Sequence, residues 1–124
     1  MLLLYIGIGG FFGAISRFLI AGAAQKLTGA FFPFGTLTVN VLGSFIIGFA
    51  ALWFEQIVAP EYRVLFITGF LGALTTFSTF SYETTMLIEQ SAWMRAFANI
   101  ALNVVLSVGA TILAMLLFRK FFTV

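Results

Sequence analysis

Thr75-Thr76-Phe77-Ser78-Thr79-Phe80-Ser81 lies inside a long apolar run, and its reading decides the fold. Five of its seven residues carry hydroxyls, and the other two are phenylalanines three positions apart. The hydrocarbon core of a bilayer holds no water, so polar groups at that depth need protein partners or a wet cavity. A hydroxyl cluster there points to a pathway for something small.

Composition places the run in a membrane. Hydrophobic residues make up 62% of the 124-residue chain and charged residues 8%, more apolar surface than a soluble domain of this size can hide. A multi-pass protein of the cell membrane is expected, with the lipid bilayer as its surroundings. Cysteine and histidine are absent, which excludes disulfides, thiolate chemistry and histidine-based metal or acid–base sites. The net charge is only +2 and no basic patch exists, so no nucleic-acid partner is expected.

A helix crosses the hydrocarbon core in roughly 20 residues. On that measure the chain is a single transmembrane domain over 1–124, with spans at about 2–24, 35–54, 62–89 and 93–118. Lys26, Glu55, Glu89 and the pair Arg119-Lys120 close them, while Pro33-Phe34-Gly35 and Ala59-Pro60-Glu61 mark turns. Trp53, Tyr62 and Trp93 fall at span ends, where amphipathic rings prefer the headgroup level. The first segment has no positive leading region, and a cleaved signal peptide is not expected.

The third segment is too long for a plain span. Its 28 residues would make a helix of about 42 Å against a core of about 30 Å. Gly69, Gly72 and then the hydroxyl cluster occupy its centre. Glycine weakens a helix, and Ser and Thr compete for its backbone hydrogen bonds. Two structures fit: a helix broken at mid-membrane, whose freed carbonyls could serve an ion, or a tilted continuous helix with self-bonded hydroxyls.

Charge barely fixes orientation. Four spans would put Arg63, Arg119 and Lys120 on one side and Lys26 and Arg95 on the other, a three-to-two count that hardly commits the chain. Copies inserted both ways could form an antiparallel dimer; a modest preference for one orientation is the alternative. Gly7, Gly9, Gly10, Gly13 and Ala14 in the first span, and Gly43, Ser44 and Gly48 in the second, would let helices approach closely. They could serve a homo-oligomer or contacts inside one subunit.

Gly35-Thr36-Leu37-Thr38-Val39-Asn40 and the stretch from Thr68 through Thr75-Thr76-Phe77-Ser78-Thr79-Phe80-Ser81 to Glu83 resemble the Fluc (CrcB) fluoride channels. Gly13-Ala14-Ile15-Ser16-Arg17-Phe18 resembles that family's first-span arginine motif. Ala73 departs from the family's third-span pattern, since many members carry a second glycine there. The resemblance implies an all-α membrane protein of four helices, the third broken at mid-membrane. It further implies an antiparallel, dual-topology homodimer with two pores, exporting fluoride passively and so protecting the cell from it. A structural, non-transported Na⁺ at the dimer centre is implied too, held by backbone carbonyls that map to Gly72 and Thr75 of each subunit.

Residue chemistry agrees with a fluoride pathway through Asn40, Phe77, Phe80, Ser78, Thr79 and Ser107. A small, strongly hydrated anion must exchange water for donors, which an amide and hydroxyls supply. Phenyl rings carry a positive edge, so they can face an anion without a fixed charge, and conduction needs weak, multiple sites. Ordinary packing is the competing role for the rings. Arg17 could draw anions into a vestibule, snorkel to the interface or pair with a carboxylate. Glu83 could bond nearby donors, influence proton-linked access, or be solvated.

Other functions fit less well. A small dual-topology multidrug exporter would need a carboxylate within the bundle, and the first, second and fourth spans hold none in their interiors. A non-transporting scaffold has little use for hydroxyls at the midplane. An intramembrane enzyme lacks a nucleophile–base pair, so no enzymatic activity is expected.

Overall fold

The computed structural model describes residues 1–56 and 59–122. Among them every regular element is helical: α1 (Leu2–Thr28), α2 (Phe34–Phe54), α3 (Pro60–Arg63), a π-helical stretch (Val64–Leu71), α4 (Gly72–Leu74), α5 (Phe77–Glu89) and α6 (Trp93–Phe122). Pro60–Glu89 acts as one span built from four pieces, so four segments are long and apolar enough to cross a membrane. The spans outrun the hydrocarbon core. The first continues past Lys26 to Thr28, whose hydroxyl donates back to the Ala24 carbonyl at 2.8 Å, and Gly29 at φ 83° ends it. In the left-handed region a side chain would be strained.

The architecture is inside-out relative to a soluble bundle. Val39, Ala50, Leu71 and Leu74 form a small buried core, while most large apolar side chains, Phe11, Leu19 and Phe97 among them, face outward. That is the arrangement a bilayer requires. α1 lies against the π-helical stretch, and the two backbones nearly touch. A Cβ on Gly9 or Gly13 would fall on the carbonyls of Leu65 and Phe70, and one on Gly69 on the carbonyl of Ile6. These glycines therefore serve packing within the subunit. α2 packs on α6 by the same device, since Gly48 sits over the Thr111 backbone. Thr111 donates across to the Ser44 carbonyl at 2.7 Å. Farther along, Phe49 and Trp53 meet Phe118 and Phe122 edge to face.

At the other end Gln25 laces the α1–α2 connection. Its Nε2 donates to the carbonyls of Gly29 and Phe32, and its Oε1 accepts the Gly35 amide at 3.0 Å, satisfying a free donor in the first turn of α2. Arg95 at the start of α6 donates to the Phe31 carbonyl at 2.9 Å and lies 4.3 Å over its ring, so the first and third connections share one side. Gln25→Leu removes two part-buried hydrogen bonds and one exposed one, and is expected to cost about 2–3 kcal/mol at roughly 1 kcal/mol net for each bond. Its reading is a lowered unfolding midpoint in detergent. An unchanged midpoint would assign the connection's order to Arg95 alone.

Candidate functional site

The third span is broken where the hydroxyl cluster begins. Thr75 (φ −88°, ψ 157°) and Thr76 (φ −150°, ψ 121°) are extended, and helix resumes at Phe77. Thr76 restarts it: its Oγ1 accepts the Thr79 amide at 3.2 Å, a side-chain N-cap. The break also diverts backbone donors. In a continuous helix the Thr76 amide would bond the Gly72 carbonyl and the Thr79 amide the Thr75 carbonyl. Here Thr76 N–H donates to Asn40 Oδ1 at 2.8 Å, and Thr79 N–H to Thr76 Oγ1. Both carbonyls are thereby released from their helical partners, at a position where Gly72 is exposed.

Asn40 comes from α2 and bridges the break. Besides accepting from Thr76 N–H, its Nδ2 donates to the Thr76 carbonyl at 3.2 Å and to Asn103 Oδ1 at 2.9 Å. An amide has two N–H donors, and both are engaged here. An anion meeting Asn40 must compete with Asn103 or with the Thr76 carbonyl.

A cavity of about 360 Å³ opens beside the break. Of the residues expected on the pathway, Asn40, Phe77, Phe80 and Ser107 line it, together with Gly72 and Thr75. Its lining contains no charged side chain. Phe80 is buried and Phe77 is 77% exposed, their ring centroids 5.4 Å apart. Ser107 Oγ is buried without a hydrogen-bond partner. The structure separates the remaining expected residues from this group. Thr79, Arg17 and Glu83 line a second cavity of about 530 Å³ on the α1 side, and Ser78 is exposed and lines neither. Thr76 belongs to both cavities and forms the wall between them. Arg17 and Glu83, both half-buried, thus share one space with Thr36 and Thr79 hydroxyls.

Sequence reasoning passed over Thr76, Thr84, Asn99 and Asn103 as site residues. The signal was present: Asn99, Asn103, Ser107 and Thr111 recur every fourth position, which stacks them on one helix face. That face looks inward. Asn99 is fully buried and Asn103 nearly so.

The chain matches the family described as CrcB-like protein, Camphor Resistance (CrcB), over residues 4–115. A protein named fluoride-specific ion channel FluC from a Nitratiruptor species is 63% identical over 117 residues, 94% of this chain and 91% of the relative. One of the same name from a Sulfurovum species is 60% identical over 121 residues, 98% and 96% of the two chains. Another, from Methanocaldococcus jannaschii, is 53% identical over 106 residues, 83% and 82%. With likeness of that extent along nearly its whole length, and a third membrane helix broken beside an uncharged cavity, the chain belongs to the CrcB family, whose members named fluoride-specific ion channel are channels rather than enzymes.

Proposed function

We propose that this chain is a passive fluoride channel, working as an antiparallel homodimer that lets fluoride leave the cytoplasm and so limits its toxicity. The observation that carries the reading is the uncharged cavity lined by Asn40, Phe77, Phe80 and Ser107, the last with a buried hydroxyl that has no hydrogen-bond partner. Neutral donors and ring edges can replace an anion's water without trapping it, whereas fixed cations would hold it too tightly. The names of the relatives supply the ion. Fluoride would pass from water to Ser107 and the ring edges, with Asn40 exchanging one internal partner for the anion.

The open side of the cavity argues for a second copy. Gly72, Phe77 and Ser78 are exposed at the break, and polar backbone there needs cover within a bilayer. The weak charge bias permits the partner to insert upside down. Na⁺ fits the same place, because the released Gly72 and Thr75 carbonyls are the hard oxygen donors such a cation takes. Bound there, the ion supplies positive charge that offsets carbonyl dipoles brought together from two subunits. Arg17 would raise local anion concentration beside the break, with Glu83 in the same cavity tempering its charge.

Fluoride efflux from liposomes holding the purified protein, with chloride as control, tests the reading. Fluoride should leave and chloride should not. Flux should persist without a Na⁺ gradient, and flux that follows an imposed Na⁺ gradient at fixed voltage would make the protein a coupled transporter. A C-terminal tag probed in intact cells should be found on both sides of the membrane. Lysines inserted after Lys120 should bias the chain to one orientation and lower activity. A single orientation in the active, unmodified protein would defeat the antiparallel dimer.

A further inference from the structure

We propose that Thr84 and Asn99, which line neither of the cavities described, are positioning residues for Asn40, acting through Asn103 along a one-way chain of hydrogen bonds. The proposal rests on the channel reading for its functional consequence but not for its geometry. The chain starts in α5, where the Thr84 hydroxyl donates to the Phe80 carbonyl at 2.8 Å. With its only proton committed, Thr84 Oγ1 can only accept from Asn99, and Nδ2 of Asn99 donates to it at 2.9 Å. Asn99 must then turn its Oδ1 the other way. Asn103 Nδ2 donates to that oxygen at 3.0 Å and to the Asn99 carbonyl at 2.8 Å. Asn103 in turn presents Oδ1 to Asn40 Nδ2 at 2.9 Å.

Orientation therefore propagates through α5, α6 and α2. Reversing any one amide would set N–H against N–H at one contact and oxygen against oxygen at the next. The two ends cannot reverse, because the Phe80 carbonyl only accepts and the Thr76 amide only donates. Asn99 is fully buried and Thr84 nearly so, so water does not substitute for a missing partner, and unpaired polar groups there are costly. The chain couples the place where Phe80 sits to the direction in which Asn40 points. Those are two groups of the same cavity, held in register from behind by residues an ion would never touch.

The test uses a convenience of composition: Asn40, Asn99 and Asn103 are the only asparagines in the chain. Protein labelled with ¹⁵N at asparagine should give three side-chain amide pairs, all slow to exchange with solvent. Thr84→Val keeps the shape and removes the hydroxyl, whereas Thr84→Ser keeps it. In Thr84→Val all three pairs should shift or exchange faster, and in Thr84→Ser all should return toward native positions. Fluoride flux should fall roughly fivefold to tenfold in the valine variant, the ratio one hydrogen bond of ordinary net strength controls, and recover in the serine variant. Thr84→Ala stands in if the valine variant fails to give a single species on size exclusion. A shifted Asn99 pair with an unmoved Asn40 pair overturns the chain, whatever the flux. Absence of fluoride flux from the unmodified protein would instead remove the channel reading, and the spectra would still decide the coupling.

Discussion

Asn40→Leu is expected to reduce fluoride flux at least a hundredfold and to destabilise the protein. Leucine matches the shape of asparagine but supplies neither donor nor acceptor. Three contacts disappear together: Thr76 N–H loses its acceptor, and the Thr76 carbonyl and Asn103 Oδ1 lose their donors. Each buried polar group left unpaired costs about 1–3 kcal/mol, so the extended link between α4 and α5 would no longer be held to α2. Asn40→Asp keeps only one of the three contacts. Its carboxylate still accepts from Thr76 N–H, but oxygen then faces the Thr76 carbonyl and Asn103 Oδ1, and a negative charge lies beside an anion's path. It should not conduct, and its unfolding midpoint should fall as well. Fluoride-electrode recordings of efflux and thermal unfolding in detergent read the two properties. Flux within a few-fold of native in Asn40→Leu would remove Asn40 from the pathway.

The second large effect comes from comparing two glycines. A side chain at Gly13 would collide with the Phe70 carbonyl and come within 3.0 Å of Ala73 Cβ. Backbone cannot step aside as a flexible side chain can, so Gly13→Val should prevent α1 from seating on the third span. No well-behaved protein of any oligomeric state is expected. At Gly72 the nearest atom to an added Cβ is the Ile67 carbonyl oxygen at 3.8 Å, ordinary van der Waals contact. The protomer can therefore accept Gly72→Val, at the modest helix cost of a β-branched residue. If a second copy meets the break, the valine blocks that approach, and the result is a folded monomer without flux. Light scattering after size exclusion distinguishes the cases. A native, conducting dimer of Gly72→Val would exclude close approach at Gly72 and with it the shared Na⁺ site. Thr75→Ser should be mild, since the proposed ligand there is the main chain and the hydroxyl is kept.

Much of this was legible before any coordinates. The four spans follow from hydropathy, and a segment too long for the bilayer, with Gly72 and five hydroxyls at its centre, marks the third span as either broken or tilted. What the residues left open, broken or merely tilted, was decided by Asn40. An acceptor placed 36 positions earlier draws off the Thr76 amide, and no local pattern encodes a contact at that range. The seating of the π-helical stretch was illegible for a related reason: its backbone lies against α1 at Gly9, Gly13 and Gly69, again a contact between distant segments. The small residues themselves fitted a subunit interface equally well. Ser78 and Thr79 were grouped with Phe77 and Phe80 by adjacency, yet a helix turns about 100° per residue. Thr79 therefore faces the α1 side, while the two phenylalanines, three positions apart, share the cavity. Asn99 and Asn103 were missed because the fourth span was weighed only for its lack of acids and for the Ser107 hydroxyl. Neutral amides at four-residue spacing carried the information instead.

The chain of amides and hydroxyls from Phe80 to Thr76 is also electrically neutral throughout. A potential of 100 mV does about 2.3 kcal/mol of work on a unit charge carried across the membrane, but almost none on paired dipoles fixed in place. Arg17 and Glu83, a base and an acid, line one cavity, so moving together as an ion pair they would transfer no net charge. The site consequently offers no gating charge on which the membrane field could pull. Its conductance should be ohmic, and the field should act on the permeating ion alone.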